Sequence, residues 1–273
     1  MAVAKTICDT VLEELNSHVH SDTQPDPFTA ARLRREITKL EQADYMQARL
    51  CLGILLTLER KAKQAFEVFE EMLRYTPEDP GLHQNYGHSL AKLRFANLAN
   101  SHYKAAVEYS PEATEVLIDL AETAQIVFRP CEFMSVLKAN IHKANSEVLG
   151  ENVDVQRAIR LAKLFEDVGI SDETANSIYL AAEGLFIEHE LLIEAGYFRK
   201  TGMYGSSTLT FYAELSCDDD FIHRLNDELC DRLVDFDVAH LLNNLTFLFI
   251  AHKPNTKDTS VPNCSMDLKH ADH

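Results

Sequence analysis

Acidic side chains recur at helical spacing in the C-terminal third of the sequence. The stretch 216–237 predicts one helix, and the polar face of that helix carries six carboxylates: Asp219, Asp220, Asp227, Glu228, Asp231 and Asp235. A row of carboxylates attracts basic groups and can steer a basic protein toward it, as a phosphate backbone would. Such a row is also typical of a helix surface that only faces water. The sequence leaves both interpretations open.

Histidine and cysteine could bind a metal ion, but their spacing does not favour it. His18 and His20 lie two residues apart, and no HExxH, CxxC or HxD constellation accompanies them. Cys217 and Cys230 lie at the start and in the middle of one predicted helix, so they cannot share a tetrahedral site without other ligands. His223 lies near acidic residues at helical spacing. We therefore expect no metal ion and no cofactor.

No motif for catalysis stands out. The chain has no phosphate-binding loop, no GxSxG and no Gly-rich strand-to-helix turn, and GMYGS at 202–206 is typical of a hairpin turn. Its six cysteines are scattered without CxxC pairs, which indicates reduced thiols, with Cys51 in the core. We expect a protein that is not an enzyme. A small enzyme domain within 190–253 is the alternative.

Charge is distributed unevenly along the chain. The formal net charge is −17 over 273 residues, and residues 146–250 alone carry 7 bases against 20 acids. This balance argues against binding nucleic acid through its phosphates, which requires clustered lysine and arginine. No apolar run reaches the length of a membrane span, and the N-terminus lacks the long apolar run of a secretory signal. The sequence therefore predicts a cytoplasmic protein.

The chain contains an internal repeat, which appears when the sequence is compared with a shifted copy of itself. A shift of 34 residues aligns small, large and proline positions: Leu52-Gly53 with Tyr86-Gly87, Leu56 with Leu90, Ala65 with Ala99, Phe69 with Tyr103, Leu73 with Val107, and Pro77 with Pro111. Small residues recur where two helices must approach closely, and a proline recurs where the second helix must stop. The period predicts stacked helical hairpins.

This pattern resembles the tetratricopeptide repeat (TPR). Residues 46–79 and 80–113 match it, and 114–147 is a degenerate third copy in which Phe133 replaces an alanine and no closing proline follows. Both clear copies lack the usual tryptophan-like residue. In both, an arginine (Arg60 and Arg94) stands where a glycine often joins the two helices. The resemblance implies an array of helical hairpins that binds other proteins on its concave face.

The resemblance also implies which residues would line that face. They are Gln47, Leu50, Ile54, Gln84, Asn85, His88, Glu115 and Asp119. Some members of the family clamp a C-terminal carboxylate with lysine, arginine and asparagine, but here only Asn85 of that set is present. The groove is expected to be apolar at one end and acidic at the other, which suits a basic or amphipathic peptide. In the alternative, Leu50 and Ile54 only pack on neighbouring helices.

Together these patterns predict a mostly α-helical fold, a TPR-like hairpin array with a small C-terminal α+β unit of order ββαβ. We expect eight to ten helices before residue 190, with Gly169 ending one and Ser171 capping the next. Strands are predicted at 209–215 and 245–251, parallel if adjacent, and 190–198 is a third candidate. In the helix at 216–237, Ser216 is the expected cap, and Phe221, Leu225, Leu229 and Leu233 the expected buried stripe.

Four segments are predicted: N-terminal helices at 1–43, the repeat domain at 44–190, an acidic α+β unit at 191–253 and a disordered tail at 254–273. The first functional hypothesis is a non-enzymatic interaction scaffold, adaptor or chaperone-like, that binds a protein segment. The second is an immunity or antitoxin-type protein that neutralises a basic toxin through its acidic face. The third is the enzyme domain fused to a repeat scaffold. The sequence also leaves a homodimer open.

Overall fold

The computed structural model describes residues 2–203 and 206–252. Contacts between Cα atoms divide the chain into two compact units, Met1–Ser110 and Pro111–His273. The four segments predicted from the sequence stay a prediction, and the predicted tail at 254–273 lies outside the described residues. Within the described residues, no helix is both long and apolar enough to cross a membrane.

The first unit contains six helices that pair into three hairpins. In chain order they are α1 Ala2–His20, α2 Pro27–Glu41, α3 Tyr45–Leu58, α4 Ala62–Tyr75, α5 Pro80–Lys92 and α6 Ala96–Tyr109. Two of them begin with an Asp-Pro pair, because the aspartate (Asp26 or Asp79) accepts hydrogen bonds from first-turn amides, while the proline needs no acceptor. Helices α4 and α6 begin and end at matching positions of the two clear repeat copies, as the period predicts.

The two clear repeats place a glycine against an aromatic ring. A Cβ added to Gly53 would lie 2.8 Å from the ring of Phe69, and one added to Gly87 would lie 2.6 Å from the ring of Tyr103. Both distances are shorter than carbon atoms tolerate, so only glycine lets the two helices of each hairpin approach this closely. The sequence match of Gly53 with Gly87 and of Phe69 with Tyr103 therefore has a common cause in packing.

The hairpin junctions repeat with the same period. Arg60, Arg94 and Phe128 have positive φ angles of 59°, 71° and 59°. The amide of the residue after each one donates to a carbonyl five residues earlier: Lys61 to Leu56, Phe95 to Leu90 and Arg129 to Ala124. A left-handed residue followed by such a hydrogen bond is a standard way to end a helix. The third junction, which lies in the second unit, thus keeps the backbone of the first two.

The second unit begins with five further helices. They are α7 Thr114–Ile126, α8 Pro130–Asn140, α9 Ser146–Glu151, α10 Val153–Val168 and α11 Asp172–Glu188. The predicted helix boundary between α10 and α11 is confirmed, since Gly169 has φ 74° and Ser171 caps α11. Eleven helices precede residue 190 in the described part of the chain, so the prediction of eight to ten was too low. The six residues of α9 are too few to show an apolar period.

A three-stranded sheet follows, with the order β1-β2-β3. Strands β1 Ala195–Met203 and β2 Ser206–Leu215 are antiparallel, and β3 Leu245–Ala251 is parallel to β2, with Leu209 opposite Leu245. The parallel pair is confirmed. The third strand was predicted too early, because Glu190 at φ 51° ends α11 and the ladder starts only at Ala195. Of the predicted turn at 202–206, residues 204 and 205 lie outside the described residues.

Helix α12, Asp219–Asp235, connects β2 to β3, and the 3-10 helix Ala239–Asn243 precedes β3. The cap of α12 is Asp218, whose carboxylate accepts from the amide of Phe221 at 2.8 Å, and the prediction of Ser216 was wrong. The amide of Cys217 bonds to the carbonyl of Leu215, so the chain still turns there and the helix starts later. The buried stripe consists of Ile222, Leu225, Leu229 and Leu233, with Phe221 only half-buried.

An aromatic cluster forms the core of the second unit. Phe128, Phe165 and Phe186 from the helical part contact rings of the sheet, namely Phe198, Phe211, Phe247 and Phe249. Tyr179 packs on Phe128 behind them. Most of these pairs are edge-to-face or tilted, the arrangement that ring quadrupoles favour. The fold class is therefore confirmed as mostly α, with TPR-like helical hairpins and a small C-terminal α+β element of order ββαβ.

Candidate protein-binding surfaces

The apolar end of the predicted groove packs against helix α1. Ile54 is 9% exposed and belongs to a buried cluster with Val11 and Leu15 of α1, and Leu50 packs against the same cluster. Gln47 is exposed, and its Oε1 accepts from the Cys8 thiol at 3.8 Å. Leu50 and Ile54 therefore lie in or against an apolar cluster to which α1, α2 and α3 contribute, and a partner role for them stays a prediction.

Helix α1 is also tied to the third hairpin of its unit. The ammonium group of Lys92 on α5 donates to the carbonyl of Val19 at 3.4 Å and to the carboxylate of Asp22. The hydrogen bond from Lys92 holds the pKa of Asp22 below its usual value. The apolar cluster thus holds the middle of α1, and the contacts of Lys92 hold its C-terminal end.

The central residues of the predicted groove lie on α5. Gln84 and Asn85 are half-buried, and His88 is exposed. The side-chain amide of Asn85 donates to the carbonyl of Gly81 at 2.7 Å, and the ring of His88 meets the ring of Tyr103 at 5.4 Å. These contacts occur within one hairpin. A partner role for the three residues stays a prediction.

The acidic end of the predicted groove belongs to the second unit. Glu115 is exposed in the first turn of α7, and Asp119 is half-buried one turn later. The backbone carbonyl of Asp119 accepts from the hydroxyl of Thr123 at 2.9 Å. Whether these two carboxylates serve the same ligand as the residues on α3 and α5 stays a prediction.

The predicted acidic residues share one helix, α12, and most of them face water. Asp219, Asp220, Asp227, Asp231 and Asp235 are exposed. Within residues 2–203 and 206–252, no ion pair involves any of these five carboxylates. Glu228 differs, since it is half-buried and its Oε2 lies 2.8 Å from Nε2 of His189.

Exposed apolar side chains adjoin this acidic row at its C-terminal end. Val234 is 67% exposed and Phe236 is 55% exposed. The two arginines of α12 are engaged elsewhere: Arg232 pairs with Glu188 of α11, and Arg224 lies over the ring of Phe221 at 5.5 Å. This side of α12 therefore carries carboxylates towards both ends, with exposed Arg224 between Asp220 and Asp227, and is apolar at its C-terminal end. We call residues 219, 220, 227, 231, 234, 235 and 236 the α12 face.

A groove of about 480 Å³ lies beside the N-terminal half of α12. Tyr197, Glu214 and Ile250 line it from the sheet, and Asp219, Ile222 and His223 line it from the helix. Glu214 also accepts from Nδ1 of His252 at 2.8 Å. The sequence analysis missed Tyr197, Glu214 and His252. The alternation in the predicted strand 209–215 could have placed Glu214 on its outer face, but only the sheet register brings His252 to it.

Two histidines, one buried and one half-buried, form a polar contact in the first unit. Nε2 of His83 lies 2.9 Å from the carbonyl of Pro77 and donates to it, and Nδ1 of His83 lies 2.9 Å from Nδ1 of His102. Burial lowers the pKa of His102 to about 4. The His102 ring is therefore neutral at pH 7, and the contact is a structural one.

Two thiols and one carboxylate outside these surfaces have roles in packing and helix capping. Burial raises the pKa of Cys51 and Cys131 to about 12, which leaves both as poor nucleophiles. The carboxylate of Asp172 accepts from the amides of Cys131 and Glu132 at 3.2 and 2.7 Å, so it caps α8 from another helix. In the described part of the chain, no group of three or more histidine, cysteine or acidic residues could hold a metal ion.

Comparisons with known proteins add little to this description. No protein-family model matches the sequence, and no curated protein matches it. A solved structure described as "Functional Characterization of Pseudomonas Aeruginosa pilF" is similar over 68% of this chain and 87% of that chain, with 13% sequence identity and a TM-score of 0.39. A likeness at this level carries no argument about function, so the fold class rests on the helices and strands described above.

Proposed function

We propose that this protein is a non-enzymatic interaction scaffold that binds a basic or amphipathic protein segment through the α12 face. The observation that supports this proposal is the row of five exposed carboxylates, unpaired within the described residues, beside exposed Val234 and Phe236. Exposed charges raise the rate of encounter with an oppositely charged protein. Exposed apolar side chains next to them add contact area that water does not screen.

The α12 face is a better candidate than the predicted hairpin groove. A binding surface must be open to the partner, and two of the groove residues already take part in the core: Ile54 belongs to an apolar cluster of α1, α2 and α3, and Leu50 packs against it. The α12 face is exposed to solvent among the described residues of the second unit. Its helix is held from behind by Leu225, Leu229 and Leu233, which are 0–2% exposed, so the surface is presented on a rigid element.

The chemistry of the face defines the class of partner. Asp227 and Asp231 are four residues apart and Asp235 follows four later, so the carboxylates lie one helical turn apart on one side. A segment with lysine or arginine at a similar spacing and one apolar residue beyond them would match it. A basic protein held in check by this chain would belong to the same class.

The test compares two variants with equal net charge. Asp227, Asp231 and Asp235 are changed to asparagine in the first, and exposed Glu13, Glu67 and Glu108 are changed to glutamine in the second. Binding of a fluorescent amphipathic peptide of lysine, arginine and leucine is followed by anisotropy between 0.05 and 0.5 M salt. We expect the first variant to bind about tenfold more weakly at low salt and to show a smaller salt dependence.

The control variant should bind like the original protein, because none of its three changes removes a carboxylate of the α12 face. Equal loss in both variants would mean that only net charge attracts the peptide, and the proposal would be wrong. A Val234→Ser, Phe236→Ser variant tests the apolar end. We expect it to bind more weakly at all salt concentrations, since apolar burial is not screened.

A further inference from the structure

The groove beside α12 is lined by acidic and apolar groups on two sides. Glu214 lies on β2, and Asp219 lies in the first turn of α12. Ile250 and Ile222 supply apolar surface from the sheet and the helix. Among the described residues that line the groove, none is lysine or arginine. The groove therefore favours a ligand that combines a positive charge with an apolar stem.

An aromatic ring completes the sheet side. Tyr197 stacks on Tyr212 with ring centroids 5.1 Å apart, so its position is fixed by the neighbouring strand. A cation over such a ring is stabilised by the ring quadrupole. Burial and the nearby Glu214 raise the pKa of Tyr197, so the phenol stays neutral at pH 7. The groove thus offers to the same ligand one aromatic ring, the carboxylate of Asp219 and the carboxylate of Glu214, which also accepts from His252.

The adjacent sheet edge is closed to another strand. The side-chain amide of Asn226 on α12 donates to the carbonyl of Phe249 at 2.9 Å and accepts from the amide of Phe249 at 3.0 Å. These two bonds satisfy the groups that an added strand would use at this point on β3. Strand addition at Phe249 is therefore blocked, which favours recognition in the groove through a side chain of the partner.

We propose that the groove receives an arginine side chain of the basic segment that binds the α12 face. The guanidinium group lies between the carboxylates of Glu214 and Asp219, and the stem packs on Ile222 and Ile250. This inference rests on the proposed function, because Asp219 belongs to both the groove and the α12 face. Arginine fits better than lysine because its planar fork can bond two carboxylates and stack on a ring.

The test uses small probes that bind without the rest of a partner. N-acetyl-arginine amide, N-acetyl-lysine amide and N-acetyl-citrulline amide are titrated separately while the methyl signals of Ile222 and Ile250 are followed by NMR. We expect saturable shifts with the arginine probe, at least threefold weaker binding of the lysine probe, and no saturation with citrulline, which has the same shape without the charge. Equal shifts with arginine and citrulline would overturn the proposal.

Variants of its two carboxylates test the groove directly. Glu214→Gln and, independently, Asp219→Asn should each weaken the arginine probe at least fivefold, whereas Glu13→Gln with Glu67→Gln, both exposed and outside the α12 face, should leave it unchanged. Methyl spectra without probe check that each variant keeps its fold, and Asp219 is exposed, so its change does not disturb the core. If Glu214→Gln and Asp219→Asn both leave the probe bound, the groove proposal is wrong, even where the α12 face still binds the basic peptide.

Discussion

The first two hairpin junctions and the third have one backbone conformation in different surroundings. Arg60 and Arg94 are half-buried, and Arg60 donates from Nη1 to the carbonyl of Lys92 in the next hairpin. Phe128, at the equivalent position of the third copy, is 0% exposed. Its ring centroid lies 5.0 Å from that of Phe198 and 4.9 Å from that of Phe211.

The difference shows that the hairpin determines the backbone conformation at these positions, whereas the surroundings determine the side chain. A left-handed residue lets the first helix stop and the second begin, so the hairpin fixes φ whatever the residue is. A bulky residue at positive φ costs about 1–3 kcal/mol, and its contacts must offset that strain. At Arg60 the stabilising contact is a hydrogen bond between two hairpins. At Phe128 the stabilising contacts are with aromatic rings of the sheet.

The largest expected effect concerns the third junction, where Phe128 lies in the aromatic core. Phe128→Ala should destabilise the second unit by about 3–5 kcal/mol, because it empties a fully buried site among several rings. Arg94→Ala should cost less than about 1 kcal/mol. Urea unfolding followed by circular dichroism measures both. A loss at Phe128 as small as that at Arg94 would contradict the assignment of Phe128 as the anchor of the core.

A second prediction concerns the close contact that the repeats share. Gly87→Leu should destabilise by about 1–3 kcal/mol, because even a Cβ would lie 2.6 Å from the ring of Tyr103. Gly53→Leu should behave alike against Phe69. The control is Gly150→Ala, where nothing lies within 4 Å of the added carbon and the helix should gain slightly. In a Tyr103→Ala background, Gly87→Leu should cost less than it does in the original protein, and an equal cost in both backgrounds would place the strain elsewhere.

The two units also differ in how a buried titratable group responds to acid. In the first unit, burial lowers the pKa of His102 to about 4 from 6.5, so the unfolded chain binds a proton more readily than the folded one. Stability from this group is present above pH 6.5 and is lost as the pH falls toward 4. In the second unit, burial raises the pKa of Asp172, so that group favours the folded state as the pH falls.

The corresponding prediction is a pH-dependent loss of stability in the first unit. Between pH 6.5 and 4 we expect His102 to lower the free energy of unfolding by an amount on the order of 1–2 kcal/mol. A pKa shift contributes about 1.4 kcal/mol per unit at most, and the value expected here is smaller because the ring is partly exposed. Thermal melts of His102→Phe should show a smaller dependence on pH over this range. Exposed His142, changed to Gln, is the control. An unchanged dependence in His102→Phe would mean that another group titrates.

Some of this architecture follows from sequence, and the reasons for success and failure are physical. The glycines at 53 and 87 could be predicted because each repeats with its aromatic partner at a fixed distance. The packing of Leu50 and Ile54 under α1 could not, since an apolar helix face looks the same whether it binds a partner or its own chain. The contact of Glu214 with His252 joins residues far apart in the sequence, and only the sheet register reveals it.

The smallest expected effect tests whether the three junctions require the same left-handed backbone. At each of Arg60, Arg94 and Phe128 we compare a variant with alanine and a variant with glycine. If the hairpin alone sets φ, the glycine variant should be more stable than the alanine variant by about 1 kcal/mol, since only glycine adopts a left-handed backbone without strain. Comparing the Ala and Gly variants removes the side-chain contacts, which both lack. At Glu67, exposed within α4, the same comparison should reverse sign, because glycine costs about 1 kcal/mol inside a helix. A reversed sign at one junction would show that it departs from the other two.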